Sequence, residues 1–171
     1  MWLQILILVF LLLAMCFGLV LISGAPYLPT LKNQIDTIFD FAQLNPGDTI
    51  IELGCGDGRM LIAAAKRDMN AVGYELNPIL FVICWLRTLR FRGKVTVKFA
   101  DFWGSNWPNA DAVYVFLLPR LMPALERKII KEEPRGIKVI SFAFDFPGLK
   151  PLKMKNGILL YEFTPEVDSS P

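Results

Sequence analysis

The chain divides into two zones by its pattern of apolar and polar positions. Residues 2–22 are almost continuously apolar, and the first charged side chain is Lys32. After residue 45, apolar runs alternate with amphipathic stretches, in the order strand, helix, strand. This alternation is typical of a parallel sheet covered by helices on both faces. The pattern predicts the α/β class, with a Rossmann-like, doubly wound and mostly parallel sheet.

The same pattern predicts five strands and a closing hairpin. The strands are predicted at 49–53, 71–76, 94–101, 111–118 and 136–144. Asn156-Gly157 separates two further strand-like runs and is a strong signal for a C-terminal antiparallel hairpin. The predicted organisation is a transmembrane anchor at 1–23, a linker with an amphipathic helix at 24–45, a ligand-binding domain at 46–165 and a disordered tail at 166–171.

The apolar leader is long enough to cross a bilayer. About 21 residues at about 1.5 Å each span about 30 Å, the thickness of the hydrocarbon core. A cleaved signal peptide is the alternative, since Ser23-Gly24-Ala25 resembles a cleavage site. No basic residue precedes the run and Pro26 would follow the cut, which favours a retained helix. We therefore expect a single-pass membrane protein that contacts the lipid bilayer through this helix, with its domain facing the cytoplasm or an organelle interior.

Composition limits the chemistry that is open to the domain. The net charge of +2 is too small to indicate nucleic-acid binding. The chain has no histidine, and its three cysteines, Cys16, Cys55 and Cys84, form no CxxC pair. This excludes the common zinc sites and any histidine-based catalytic triad, and we expect no metal. Unpaired cysteines also suggest a reducing compartment.

A glycine-rich turn follows the first predicted strand of the domain. It consists of Gly54, Cys55, Gly56, Asp57 and Gly58. In doubly wound folds, ligands bind where such a turn leads from a strand into a helix, because glycine allows a sharp bend and close approach to bare main chain. The turn therefore predicts a cofactor site, although a glycine-rich turn alone is also found in plain connections.

The spacing and charge of this turn favour S-adenosylmethionine over a dinucleotide. The glycines follow G-x-G-x-G, and Arg59 occupies the place of the third dinucleotide glycine. Glu52 and Asp57 place negative charge beside the turn. That charge repels a pyrophosphate and attracts the ammonium and sulfonium groups of S-adenosylmethionine.

Two further acids end the next two predicted strands. Glu75, in "GYELNP", lies 17 positions after Gly58, which suits a carboxylate that binds ribose hydroxyls. Asp101 can accept a hydrogen bond from the adenine amino group, while Phe102 or Trp103 lies against the ring. Each acid alone also fits a helix cap or a solvated position. The predicted cofactor-binding residues are Glu52, Gly54, Cys55, Gly56, Asp57, Gly58, Glu75, Leu76, Asn77, Asp101 and Phe102.

These motifs resemble those of class I S-adenosylmethionine-dependent methyltransferases. "ELGCGDG" is similar to their first motif, and "GYELNP" to the acid that ends their second strand. The order "PYLPT", "ELGCGDGRM", "GYELNP", "DFW", "LPRLMPAL" and "FDFP" resembles the membrane-anchored protein-lysine methyltransferases. That family includes enzymes acting on the adenine nucleotide translocase and the ATP synthase c-subunit. The resemblance implies methyl transfer to a lysine of a membrane protein. The acid of "FDFP" departs from the family pattern.

A lysine substrate needs an apolar slot, because desolvation lowers the pKa of the amine and leaves it neutral for attack. The expected walls are Tyr27, Trp103, Leu118 and Pro119, with Asp145 beside the incoming amine. Tyr27, Trp103 and Asp145 are the candidate catalytic residues. Plain packing is the alternative for each of them.

Other functions and contacts stay open at this level. The chain alternatively methylates a lipid or small hydrophobic molecule, or serves as a non-catalytic adaptor that binds the cofactor at the membrane; a nicotinamide oxidoreductase is a weaker alternative. Cys55 and Cys84 are expected to pack rather than react. The apolar helix that begins at Pro78 is expected to be buried in its first half, with its terminal arginines free to contact lipid headgroups.

Overall fold

A computed structural model describes residues 2–8, 10–11, 32–132 and 136–164. Within them, four helices and seven strands form the α/β domain. The helices are α1 (Lys32–Ala42), α2 (Arg59–Lys66), α3 (Pro78–Thr88) and α4 (Met122–Glu132), with short 3₁₀ turns at Leu89–Phe91 and Pro119–Leu121. The strands are β1 (Thr49–Leu53), β2 (Asn70–Glu75), β3 (Val95–Phe99), β4 (Ala112–Val115), β5 (Ile137–Phe142), β6 (Lys153–Lys155) and β7 (Ile158–Phe163).

The seven strands form one mixed sheet in the order β3-β2-β1-β4-β5-β7-β6. Strands β1 to β5 pair in parallel, and β7 pairs antiparallel with both β5 and β6. Asn156 and Gly157 have φ values of 51° and 77° and form the hairpin turn. The predicted doubly wound sheet and its C-terminal hairpin are confirmed. All five parallel strands end at one edge, where β1 lies between β2 and β4.

Two apolar layers cover the sheet. Helices α1, α2 and α3 contribute to one cluster, in which Ile38, Phe39 and Leu61 are fully buried. Helix α4 and the segment after β3 contribute to the other, around Trp107 and Leu125. The buried face of α1 confirms its predicted amphipathic pattern. Both layers hold the strand ends rigidly, and the site is built on those ends.

The predicted transmembrane helix is not supported, and with it the predicted single-pass membrane location is wrong. No helix in the described parts of the chain is both long enough and apolar enough to cross a bilayer. Residues 2–8 and 10–11 are helical. Residues 12–23 of the predicted anchor, and the predicted disordered tail, lie outside the described residues.

Helix α3 also differs from expectation. Only Cys84 and Thr88 are fully buried on this helix, and several of its large apolar side chains face solvent. The sequence predicted burial of its first half. The difference arises because α3 is apolar on nearly every side, while the sheet covers one side only.

Candidate active site

The glycine-rich turn is fixed by main-chain hydrogen bonds between β1 and β2. The amides of Gly54 and Cys55 both donate to the carbonyl of Tyr74, each at 2.9 Å. Gly54, Gly56 and Gly58 all have positive φ, a conformation that favours glycine. A Cβ at Gly54 would meet open space, whereas a Cβ at Gly58 would lie 2.6 Å from the sulfur of Cys84. Gly58 therefore serves helix packing, and Gly54 leaves bare main chain open to a ligand.

Glu75 connects the end of β2 to this turn. Its Oε2 accepts from the amide of Gly56 at 2.8 Å, and its Oε1 accepts from the amide of Asn77 at 2.8 Å. Burial raises the pKa of Glu75, and the bonds from these amides oppose that shift. Asn77 caps α3, since its Oδ1 accepts from the amides of Ile79 and Leu80. The turn and the acid are thus held in a single geometry before any ligand binds.

Glu52 is a buried carboxyl near the turn. It is 6% exposed, and its Oε2 has no hydrogen-bond partner among the described residues. Burial raises its pKa well above the ordinary value, and the charges of Asp57 and Glu75 add to that shift. A buried acceptor without a partner is a free energy penalty that a cationic ligand would relieve.

Asp57, a predicted cofactor-binding residue, is paired within the protein. Its carboxylate pairs with Arg59, whose Nε and Nη2 both donate at 2.9 Å, and with Arg87 of α3. Burial alone would raise the pKa of Asp57, but the two arginines outweigh it and hold that pKa below its usual range. Its negative charge is balanced within the protein, which leaves Glu52 and Glu75 as the acids next to the turn that are available to a cofactor.

Asp101 and its neighbours lie after β3, next to the end of β2. The amide of Ala100 donates to the carbonyl of Glu75, and the exposed Asp101 accepts at Oδ1 from the amide of Trp103. The rings of Phe102 and Trp103 lie 4.7 Å apart and pack against the α4 layer. The structure thus brings the predicted adenine-binding segment to the same edge as Glu75, while Leu76 lies exposed beside it.

The residues of the predicted substrate slot come from different parts of the sheet edge. Trp103 follows β3, whereas Asp145 is exposed after β5, and three strands separate β3 from β5 in the sheet. Leu118 is half-buried and Pro119 exposed after β4. Tyr27 lies outside the described residues.

An aromatic cluster that the sequence did not predict follows β4 and β5. Phe116 stacks on Phe144 with ring centroids 5.8 Å apart, and its ring lies 5.9 Å from that of Phe142. All three side chains are half-buried. Hydrogen bonds from Ser141 Oγ to the carbonyl of Phe144 and from Ala143 N to the carbonyl of Gly157 fix the segment. The runs "VFLL" and "SFAFDF" contain this signal, but only the pairing of β4 with β5 brings the rings together.

The two described cysteines pack against each other behind the turn. Their sulfurs lie 3.6 Å apart, and both side chains are buried. The contact with Cys84, together with burial, raises the pKa of Cys55 well above its ordinary value. A protonated, buried thiol is a poor nucleophile, which agrees with a packing role. Among the described residues, no cluster of cysteine, aspartate and glutamate side chains could hold a metal ion.

Comparison with known proteins gives two informative relatives. The chain is 35% identical over 128 residues to the ATP synthase c-subunit lysine N-methyltransferase of Rattus norvegicus, a match that covers 74% of this chain and 59% of the rat protein. It is 31% identical over 144 residues to a protein-lysine N-methyltransferase of Saccharolobus islandicus, covering 80% of this chain and 89% of that one. The chain therefore spans less than two thirds of the rat protein and most of the archaeal one.

A solved structure agrees with the fold and the cofactor. An RNA methyltransferase from Salinibacter ruber in complex with S-adenosyl-L-homocysteine has a TM-score of 0.73 and 27% identity, and the match covers 81% of this chain and 95% of that chain. The residues described above fit such a cofactor: Gly54 leaves open main chain, and Glu52 offers a buried acceptor. S-adenosylmethionine as cofactor and a methyltransferase domain are thereby confirmed. The model of the ANTKMT methyltransferase domain matches residues 52–153, and the chain belongs to this family.

Proposed function

We propose that the chain transfers the methyl group of S-adenosylmethionine to the ε-amine of a lysine in a protein. The aromatic cluster at the ends of β4 and β5 carries this proposal. It lies beside β1, whose end bears the glycine turn, and on the side opposite to β2 and Glu75. The two relatives, both named as lysine N-methyltransferases, support the same substrate class.

We assign the cofactor-binding roles along the sheet edge. Glu75 binds the ribose hydroxyls, because its carboxylate is already oriented by the amides of Gly56 and Asn77. Glu52 receives the ammonium group, which relieves its buried oxygen. Asp101 and Phe102 bind adenine after β3. When bound, the cofactor supplies a methyl group on a sulfonium, which an amine displaces in line, so orientation is a large part of catalysis.

The aromatic cluster prepares the amine for this displacement. The faces of Phe116, Phe142 and Phe144 attract an ammonium, and their apolar surface then favours the neutral form by lowering the pKa of the lysine. No side-chain base is needed for this step. Asp145 is exposed next to Phe144, and we assign it to the approach of the cationic substrate rather than to proton transfer. Leu118, which is half-buried, and Pro119, which is exposed, follow Phe116 in the chain.

The narrower form of the proposal is that the lysine belongs to a membrane protein. The name of the rat relative specifies a lysine of the ATP synthase c-subunit. Since the chain spans 59% of that relative, we carry over the substrate class as a proposal and not the particular target.

The test is a labelling experiment with fractionated products. Purified full-length chain is incubated with methyl-labelled S-adenosylmethionine and either native membranes or soluble extract, and protein, RNA and solvent-extractable lipid are separated. We expect label in protein, recovered as methyl-lysine after hydrolysis and lost when substrate lysines are acetylated beforehand. Enrichment in the membrane fraction supports the narrower form.

Other distributions of label contradict the proposal. Label in lipid would indicate methylation of a lipid or small hydrophobic molecule, and label in RNA would match the activity named for the Salinibacter structure. No transfer to any fraction by a chain that binds S-adenosylhomocysteine would indicate a non-catalytic adaptor.

A further inference from the structure

Helix α3 presents an exposed apolar face away from the sheet. This outer α3 face consists of Ile79, Val82, Ile83, Trp85 and Leu86. Trp85 is 45% exposed and Leu86 54%. A helix that packs on a sheet by one side normally presents polar side chains on the other. A contiguous exposed apolar surface of this kind marks an interaction site.

A basic groove borders the outer α3 face. It has a volume of about 730 Å³ and lies between α1, α2 and α3. Lys66 and Arg90 line it together with Leu86, which is also part of the apolar face. Arg87 lines it as well, but it pairs with Asp57. Asp36 lines the groove as well, but it pairs with Arg67 at 3.0 Å. Arg92 is exposed just beyond the helix. The outer α3 face is therefore bordered by positively charged side chains.

We propose that the outer α3 face and the basic groove dock the domain on one leaflet of an anionic lipid bilayer. Apolar side chains on a surface helix insert at the boundary between headgroups and acyl chains, and adjacent lysines and arginines bind anionic headgroups. Trp85 belongs to the outer α3 face and lies two positions before Arg87, and tryptophan is favoured at membrane interfaces. This contact lies at the membrane surface and needs no spanning helix.

The shape of the apolar face and the basic residues beside it favour a lipid surface over a protein partner. The apolar residues form a stripe along a convex helix, whereas protein partners usually insert anchors into pockets. Docking also orients the site. Helix α3 begins directly after Asn77, so Ile79 of the outer α3 face lies close in the chain to Glu75 and to the sheet edge that holds the cofactor turn. The proposal stands on these surfaces and does not depend on which substrate is methylated.

The test places a fluorophore on the outer α3 face. In the full-length chain with Cys16→Ser, Val82→Cys is labelled with an environment-sensitive dye, since Cys55 and Cys84 are buried. The control is Met154→Cys on β6, which is 72% exposed. We expect vesicles of phosphatidylcholine with phosphatidylglycerol to shift the emission at position 82 to the blue and to leave position 154 unchanged. The local readout separates this contact from binding by the apolar N-terminal segment.

Charge reversal tests the groove. Arg90→Glu with Arg92→Glu should weaken the response at position 82 by about tenfold or more, while Lys153→Glu with Lys155→Glu, also exposed, should not. An equal response to pure phosphatidylcholine would overturn the proposal. Vesicle binding without a change in emission at position 82 would also overturn it. So would an emission that is already blue-shifted before vesicles are added, because this chain's own N-terminal segment or a second copy would then cover the face.

Discussion

The two halves of the sheet edge are built on different principles. At the ends of β1 and β2, main-chain amides donate hydrogen bonds of 2.8 to 2.9 Å to the carbonyl of Tyr74 and to the carboxylate of Glu75. At the ends of β4 and β5, the surface is made of Phe116, Phe142 and Phe144, and the ring of Phe116 contacts the other two. The first half is polar and directional, and the second is apolar and non-directional.

This difference suits the two ligands that a methyltransferase must bring together. The cofactor always presents the same polar groups in the same places, so fixed hydrogen-bonding groups can match it before it binds. The proposed lysine substrate arrives on a long flexible chain and must lose its proton, so an apolar aromatic surface would serve it better. Substitutions in the two halves should therefore separate cofactor binding from methyl acceptance.

The largest effect is expected for Glu75→Ala. The change removes the acceptor for two amides as well as the proposed partner of the ribose, and each bond to a charged group contributes about 1.5–3 kcal/mol. Affinity for S-adenosylhomocysteine should fall by about 100-fold or more in calorimetry. Glu162→Ala, at an exposed position on β7, is the matched control and should bind as the wild type does. Undiminished binding by Glu75→Ala would refute the cofactor assignment.

A smaller effect, confined to the other half, is expected for Phe144→Ala. Loss of one ring of the cluster should lower kcat/KM for the lysine substrate by about tenfold, which corresponds to about 1.4 kcal/mol. Affinity for S-adenosylhomocysteine should stay within about twofold. The control is Phe41→Ala on α1, which removes a ring far from the cluster. The end of α1 lies near the start of β5, since Lys138 donates to the carbonyl of Ala42, whereas the cluster lies at the other end of that strand. A loss of cofactor affinity equal to the loss in kcat/KM would show that the two halves are not separate.

The sequence predicted the local geometry of the polar half better than that of the apolar half. The turn and Glu75 are encoded locally, since strand, glycines and helix follow one another directly, and the same holds for the Asn156-Gly157 hairpin. The aromatic cluster joins Phe116 with Phe142 and Phe144, which come together only because β4 pairs with β5. The pairing of Asp57 with Arg87 likewise spans 30 positions and depends on how α3 packs.

Helix α3 illustrates a second limit of pattern reading. Its apolar positions surround the helix, so periodicity cannot say which side the sheet covers. The structure buries Cys84 and Thr88 and exposes the stripe that includes Val82 and Leu86. Hydrophobicity alone predicted burial of the first half of α3. The sheet covers only the side of the helix that carries Cys84 and Thr88, so the opposite side stays exposed.

The smallest effect, and the most specific to the polar half, is expected for Glu52→Gln. Burial raises the pKa of Glu52 in the folded state above its unfolded value, so the folded wild type loses stability as pH rises from the unfolded pKa to the folded one. Glutamine has no charge to bury. The variant should therefore match the wild type near pH 4 and become more stable toward neutral pH, by about 1 kcal/mol, or about 2–4 °C in Tm. Thermal unfolding across this pH range measures the difference.

The same variant should respond less to the cofactor. The ammonium group of S-adenosylmethionine offsets the charge of Glu52 in the wild type, whereas glutamine offers it only a neutral acceptor. The rise in Tm on adding S-adenosylmethionine should therefore be smaller for Glu52→Gln than for the wild type or for the exposed control Glu162→Gln. A variant that is less stable at every pH would mean that the ionised carboxylate already has a partner within the protein. In that case the hydrogen-bonding groups of the polar half would already be satisfied without a ligand, and Glu52 would not contribute to cofactor selectivity.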